Sequence, residues 1–114
     1  MISEDVINAY NSRLTFDLSQ SKTLTPSQKD RVRHYGGQAE SLLANKDLAL
    51  FIHHYKFQLA DELANIRGHQ PQDNEQRVAI AHALTGIDDF VNSLKRAVYY
   101  KNKIGNTNEV PGQE

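Results

Sequence analysis

The sequence predicts an all-α fold, a small helical bundle built on a long antiparallel helical hairpin. Its 114 residues suit one domain and are too few for two cores of ordinary size. Proline occurs three times and the six glycines fall mostly between long periodic segments, a spacing that favours helices over short strands. Within those segments apolar residues recur every three or four positions, which is the period of a helix packed on one side.

Composition excludes several classes of protein. The net charge of -1 argues against a coat protein for nucleic acid. A mean hydropathy of -0.63, with no apolar run of about 18 residues, argues against a membrane span. The lack of cysteine removes disulfides, thiolate metal sites and cysteine nucleophiles. We therefore expect a soluble protein of a reducing compartment, with no secretory signal at Met1 and no membrane partner.

The first well-marked helix is predicted over residues 26–44. Thr25 suits the cap position, Pro26 suits the first helical position, and Gln28 can reach back to complete a capping box. The Gly36–Gly37 pair interrupts the apolar side, and we expect a kink or a close helix contact there. That apolar side consists of Val32, Tyr35, Ala39, Leu42 and Leu43.

Residues 47–67 and 74–103 are predicted to form the hairpin. Asn45 offers a new cap before the first of these helices, Gly68 a C-cap after it, and Asp73–Gln76 a cap for the next. At 1.5 Å per residue the helices measure about 30 and 42 Å, so the longer one should extend past its partner. The longer helix carries an a/d repeat of Ile80, Leu84, Ile87, Val91, Leu94 and Val98.

Both ends of the chain have weaker patterns. Residues 1–24 comprise a short helix predicted at 3–12 and a polar arm, which we expect to become ordered on a partner. Residues 25–104 form the helical domain. Residues 105–114 have no apolar period and are predicted to be a flexible tail.

No pattern indicates catalysis, a cofactor or a metal site. None of the five histidines pairs with another at the i, i+4 spacing that presents two imidazoles to one ion. Asp61–Glu62 and Asp88–Asp89 are neighbours on helices and point apart, whereas an acid–base pair must converge on one cleft. We expect solvated carboxylates, no cofactor, no metal and no enzyme.

The last turns of the long helix combine four cations with two tyrosines. Cations there stabilise the helix dipole, and together with tyrosine they also suit a protein interface or the phosphates and bases of nucleic acid. Because this end lacks a hairpin neighbour, we expect it to contact a partner together with the arm at 14–24. The predicted partner-binding residues are Leu94, Lys95, Arg96, Val98, Tyr99, Tyr100, Lys101, Lys103 and Ile104.

Charge and apolar content favour association with protein. Residues 58–93 contain two cations and six carboxylates, so the hairpin is acidic around its turn and basic at its far end. A rod with separated charges suits contacts between copies. One hairpin also cannot cover all of its aromatic residues, which include Phe51, Phe57, Phe90, Tyr99 and Tyr100. We expect oligomerisation or docking on a larger protein.

Residues 39–103 resemble small helical proteins of tailed bacteriophages. The resemblance lies in Ala39–Asn45, with its Leu-Leu-Ala-Asn ending, in Asp61–Ile66, and in the helix from Asn74 to Leu94. It implies a non-enzymatic virion or assembly protein that binds a larger virion protein, either in the host cytoplasm or in the particle. The alternative is a small phage-encoded regulator or packaging factor that binds nucleic acid or inhibits a host protein.

Overall fold

A computed structural model describes residues 3–112, and the side-chain surroundings of these residues other than 21 and 106–112. This part of the chain contains four α-helices, a short 3-10 turn at Ser21–Thr23 and no strand, which confirms the all-α prediction. The helices are α1 (Ser3–Asn11), α2 (Pro26–Leu43), α3 (Lys46–Asn65) and α4 (Pro71–Gly112).

Two predicted caps start α2 and α3. The Thr25 hydroxyl accepts a hydrogen bond from the Gln28 backbone N–H at 3.1 Å, and the Gln28 side chain accepts one from the Thr25 N–H at 2.9 Å. The Asn45 side chain accepts from the Leu48 N–H at 2.9 Å. Each bond satisfies a backbone donor that the first helical turn leaves without a partner. The predicted starts of these helices are confirmed to within one residue.

Helix α4 is longer than predicted at both ends. It begins at Pro71 rather than near Asn74, and Asp73 accepts a hydrogen bond from the Gln70 backbone N–H at 3.0 Å. It continues to Gly112, so residues 105–112 of the segment predicted as a flexible tail are helical; residues 113–114 lie outside the described chain. Adding a residue to an existing helix costs much less than starting a helix, so polar residues without an apolar period can prolong one.

The end of α3 also differs from the prediction. The helix ends at Asn65, and Ile66 has an extended backbone. No glycine in the described part of the chain has a positive φ, so Gly68 is not the left-handed C-cap that we predicted. Instead, the Arg77 guanidinium donates hydrogen bonds to the carbonyl oxygens of Ile66 at 3.2 Å and Gly68 at 2.6 Å. A side chain of the next helix thus closes the connection.

The hairpin prediction places the core between α3 and α4, and the structure does not confirm it. Helix α4 packs against α2 more extensively than against α3. Lys101 forms an ion pair with Glu40 at 2.8 Å, and Lys56 forms one with Asp88 at 3.0 Å. These pairs place α2 beside the C-terminal half of α4 and α3 beside its N-terminal half. Close packing on α2 is possible because small residues, Gly36, Ala39 and Ala97, are buried there.

The principal cluster of buried residues joins three segments. Leu24 of the arm, Val32 of α2 and Ile104 of α4 pack together, with Val32 and Ile104 each only 1% exposed. The arm therefore packs on its own chain, which corrects the expectation that it needs a partner to become ordered. Its remaining apolar residues are partly buried against the cluster, as is Tyr100; they are Leu14, Phe16 and Leu18.

The molecule is elongated and its core is shallow. It measures 65 × 34 × 27 Å with a radius of gyration of 19.3 Å, against about 13 Å for a compact domain of this length. It exposes 8703 Å² of surface, whereas a compact monomer of this mass exposes about 6,300 Å². This shape leaves much of each helix in contact with water. In the described part of the chain no helix is both long and apolar enough to cross a membrane.

Candidate protein interface

The structure divides the predicted binding segment, 94–104, into buried and exposed parts. Ile104 belongs to the core at 1% exposure, while Val98 and Tyr100 are half-buried. The end of α4 was expected to lack a neighbour, but α2 and the arm cover this side of it. Ile104 is therefore a core residue, and it is not available to a partner in this conformation.

The polar residues of the same segment differ in their engagement. Lys101 is held by Glu40, and its aliphatic carbons lie against Gly36. Lys103 lies with its Nζ 6.0 Å from the centre of the Tyr99 ring. Tyr99 itself is 58% exposed. The exposed remainder of the predicted site consists of Lys95, Arg96 and Tyr99, with Leu94 half-buried.

A second apolar surface lies on the side of α3 that faces away from α4. We define the outer face of α3 as Lys46, Leu50, Phe51, His54, Phe57 and Asp61, all of which are exposed. Phe51 is 77% exposed, Phe57 65% and Leu50 49%. The packed side of the helix carries the buried Leu59 and the half-buried Leu48, Ile52 and Leu63. Helix α3 therefore has apolar residues on both sides, and α4 covers only one of them.

A groove opens beside this face. It has a volume of about 450 Å³ and lies between α3 and α4, next to the end of α2. The Lys56–Asp88 ion pair lies in its lining, and the ring of His53 stacks on Phe57 with the ring centroids 6.3 Å apart. The groove and the outer face are therefore continuous. Its apolar lining consists of Leu42, Leu43, Leu48, Ala49, Ile52, Val91 and Leu94.

A third apolar surface lies on α1, which has no buried residue. Val6 is 49%, Ile7 59% and Tyr10 63% exposed. The Arg31 guanidinium fixes the end of this helix by donating to the carbonyl oxygens of Ser12 at 2.7 Å and of the following residue at 3.2 Å. An open cleft of about 800 Å³ separates α1 from α2.

The described residues contain no cluster of the kind that holds a metal ion. Among them no three His, Cys, Asp or Glu side chains converge in the way that would hold a metal ion. Asp17 accepts hydrogen bonds from the hydroxyl of Ser19 at 2.6 Å and from its backbone N–H at 2.9 Å, and these bonds lower the pKa of the Asp17 carboxyl. That carboxyl is part of a local turn of the arm. The accessible features are surfaces rather than enclosed pockets.

The sequence contained a signal for the outer face of α3 that our site prediction did not use. We placed the binding site at the end of α4 because that end was expected to lack a neighbour. However, Leu50, Phe51 and Phe57 lie outside the apolar repeat of the predicted helix at 47–67. That repeat consists of Leu48, Ile52, Tyr55, Leu59, Leu63 and Ile66. Three large apolar residues outside that repeat indicate that a second side of α3 is suited to contact with another surface.

Comparison of the chain with protein-family models, with curated proteins and with solved structures finds no match.

Proposed function

We propose that this protein is a non-enzymatic protein–protein interaction module that binds through the outer face of α3. The exposure of Phe51 and Phe57, at 77% and 65%, carries the proposal. Burial of a phenylalanine side chain is worth about 1.5–3 kcal/mol, so leaving two exposed on one helix loses a large stabilisation. A binding partner that covers these side chains recovers that stabilisation.

The chemistry of the face favours a protein as the ligand. Large aromatic and aliphatic side chains are surrounded by separate charges, Lys46 and Asp61 among them. An apolar centre with a polar rim is typical of protein interfaces. The adjoining groove is partly open to solvent, and the apolar side chains of a partner helix suit it better than a small molecule that needs enclosure.

An assembly role in a bacteriophage is the biological setting we propose. Its support is the resemblance of residues 39–103 to small helical phage proteins, together with a surface of the kind that docking on a larger virion protein requires. Inhibition of a host protein uses the same surface chemistry. The two settings differ in whether the bound protein comes from virions or from the host.

Affinity capture with tagged full-length chain tests this function. The bait is incubated with virions, with host lysate and with an untagged copy of itself, and bound proteins are cross-linked and mapped. We expect cross-links at α3 that disappear in the double variant Phe51→Ser, Phe57→Ser. The matched control is Val78→Ser, which removes a 54% exposed apolar residue of α4 and should retain the partner. The proposal is contradicted if no protein binds. It is also contradicted if the wild-type chain, the double variant and the Val78→Ser control bind equally.

Nucleic-acid binding is the second candidate, because Lys95 and Arg96 are exposed beside an exposed tyrosine, Tyr99. Phosphate contact makes the logarithm of affinity fall linearly with the logarithm of salt concentration. A gel-shift titration should therefore show binding at about 50 mM salt that is lost near 200 mM and in Lys95→Ala, Arg96→Ala. If duplex DNA and single-stranded RNA both fail to shift at the lower salt, this candidate is excluded.

A further inference from the structure

We infer that the partner on the outer face of α3 is a second copy of this chain, packed antiparallel about a two-fold axis near His53–His54. The inference rests on the proposed function and names the occupant of its surface. A two-fold interface uses the same patch on both copies, so the patch must be complementary to itself. The order of side chains along α3 meets this requirement.

The centre of the outer face has a self-complementary order. Lys46, Leu50, His54, Phe57 and Asp61 follow one another at steps of four, four, three and four, so they share one side of the helix. Read in either direction, the order is a charge, an apolar residue, histidine, an apolar residue and a charge of the opposite sign. Antiparallel pairing places Leu50 opposite Phe57 of the second copy and Lys46 opposite its Asp61. Parallel pairing places like charges together.

The two terminal charges are available for pairing with such a partner. Lys46 and Asp61 are both exposed, and neither has an ion-pair partner among the described residues. They are fifteen residues apart on one helix, about 22 Å at 1.5 Å per residue, and cannot reach each other within one chain. Across an antiparallel pair of α3 helices they form two ion pairs, one at each end.

The charge distribution of the whole rod favours the same orientation. Residues 58–93 are acidic, whereas 94–105 contain four cations and no carboxylate. The ion pair between Lys56 of α3 and Asp88 of α4 sets His54 level with the middle of α4, so an axis through His54 crosses near the centre of the rod. An antiparallel partner then has its basic end level with the acidic end of the first copy.

The surface available is large enough. The chain exposes 8703 Å², about 2,400 Å² more than a compact monomer of its mass. A stable dimer needs about 800 Å² from each copy. The outer face runs along the 20-residue helix α3 of a molecule 65 Å long, so side-by-side packing of two copies along this helix can contribute to that area.

A charge exchange tests the pairing. Sedimentation of the full chain should give a dimer of twice 12.9 kDa. Lys46→Glu and Asp61→Lys should each raise the dimer dissociation constant roughly tenfold or more, because each places like charges together. The double variant Lys46→Glu, Asp61→Lys should restore it, since the exchanged charges again face their opposites. Circular dichroism confirms folding. A monomeric wild-type chain, or a double variant weaker than both single variants, overturns the inference.

The antiparallel orientation of the two copies can be tested separately with introduced cysteines. Any disulfide then identifies them, because the natural chain has no cysteine. His54→Cys should form a disulfide-linked dimer by itself under mild oxidation. Lys46→Cys and Asp61→Cys should cross-link when mixed and much less when alone, and Val78→Cys is the exposed control that should not cross-link. Efficient self-linking of Lys46→Cys overturns the antiparallel arrangement. A monomeric chain that still captures another protein through Phe51 and Phe57 overturns the dimer and leaves the proposed function intact.

Discussion

Alanine substitutions at two adjacent glycines of α2 should change stability in opposite directions. Replacing a helical glycine with alanine ordinarily stabilises a protein by about 1 kcal/mol, because alanine loses less backbone entropy. Gly37 meets this condition, since an added Cβ would have no neighbour within 4 Å. Gly36 does not. Its added Cβ would collide with the Cβ of Lys101 and lie 2.8 Å from the carbonyl oxygen of Ala97.

The size of the stability change in Gly36→Ala depends on which atoms near the added Cβ can move away. The Ala97 oxygen belongs to the backbone of α4, so relief at Gly36 requires α2 and α4 to separate rather than one side chain to rotate. Overpacking of this kind costs about 1–3 kcal/mol. Gly36→Ala should therefore leave stability unchanged or reduce it by up to about 2 kcal/mol, because the helix gain offsets part of the cost. Gly37→Ala should increase stability by about 1 kcal/mol.

Thermal and urea unfolding followed by far-UV circular dichroism measure this difference. At about 4 °C per kcal/mol the two variants should differ in Tm by about 4–12 °C, with wild type at or between them. Protein concentration is held constant, because association would make Tm depend on it. If Gly36→Ala raises Tm as much as Gly37→Ala, then α2 and α4 do not approach closely at this point, and the assignment of the core to these helices is wrong.

Three further predictions concern the core, a cap and a titrating group. Ile104→Ala should cost about 2–5 kcal/mol in urea unfolding, whereas Tyr99→Ala should stay within about 0.5 kcal/mol of wild type, because only the former residue is buried. Thr25→Ala should cost about 1 kcal/mol in the same assay through loss of the α2 cap, and an equal loss in Thr25→Ser would contradict that cause. The Asp17 carboxyl should titrate by NMR below its usual pKa of 3.8, and Ser19→Ala should move it back towards that value. Because the lowered pKa belongs to the folded state, the stability that Ser19 contributes should be present near neutral pH and be lost as pH falls through the Asp17 pKa.

Local signals in the sequence predicted helix starts well. Thr25 with Gln28, and Asn45, act through hydrogen bonds within three residues of themselves, so their effect does not depend on the rest of the fold. The C-terminal extension of α4 to Gly112 was not predicted, because it depends on the preceding part of the helix and not on a local signal. Nothing in 105–112 marks it as a helix except attachment to one.

The arm and the binding surface were harder to predict. Phe16 and Leu18 are spaced two apart in a polar segment, and no period shows that they pack on α2 and α4. The segment 94–104 was chosen as a site because a missing neighbour was expected there. Once the arm covers Ile104, the most exposed large apolar residue is Phe51 of α3, at 77%.

The sequence by itself determined that the chain is helical and roughly where its helices begin. Periodicity and capping are properties of residues within one or two turns of each other, so the chain carries that information locally. Only the tertiary structure decided that α2, rather than α3, forms the main contact with α4. Apolar burial is non-directional, and any apolar side of a helix can pack on any other until shape selects among them. Here shape favoured α2, because Gly36 lets its backbone approach α4 at Ala97 and Lys101.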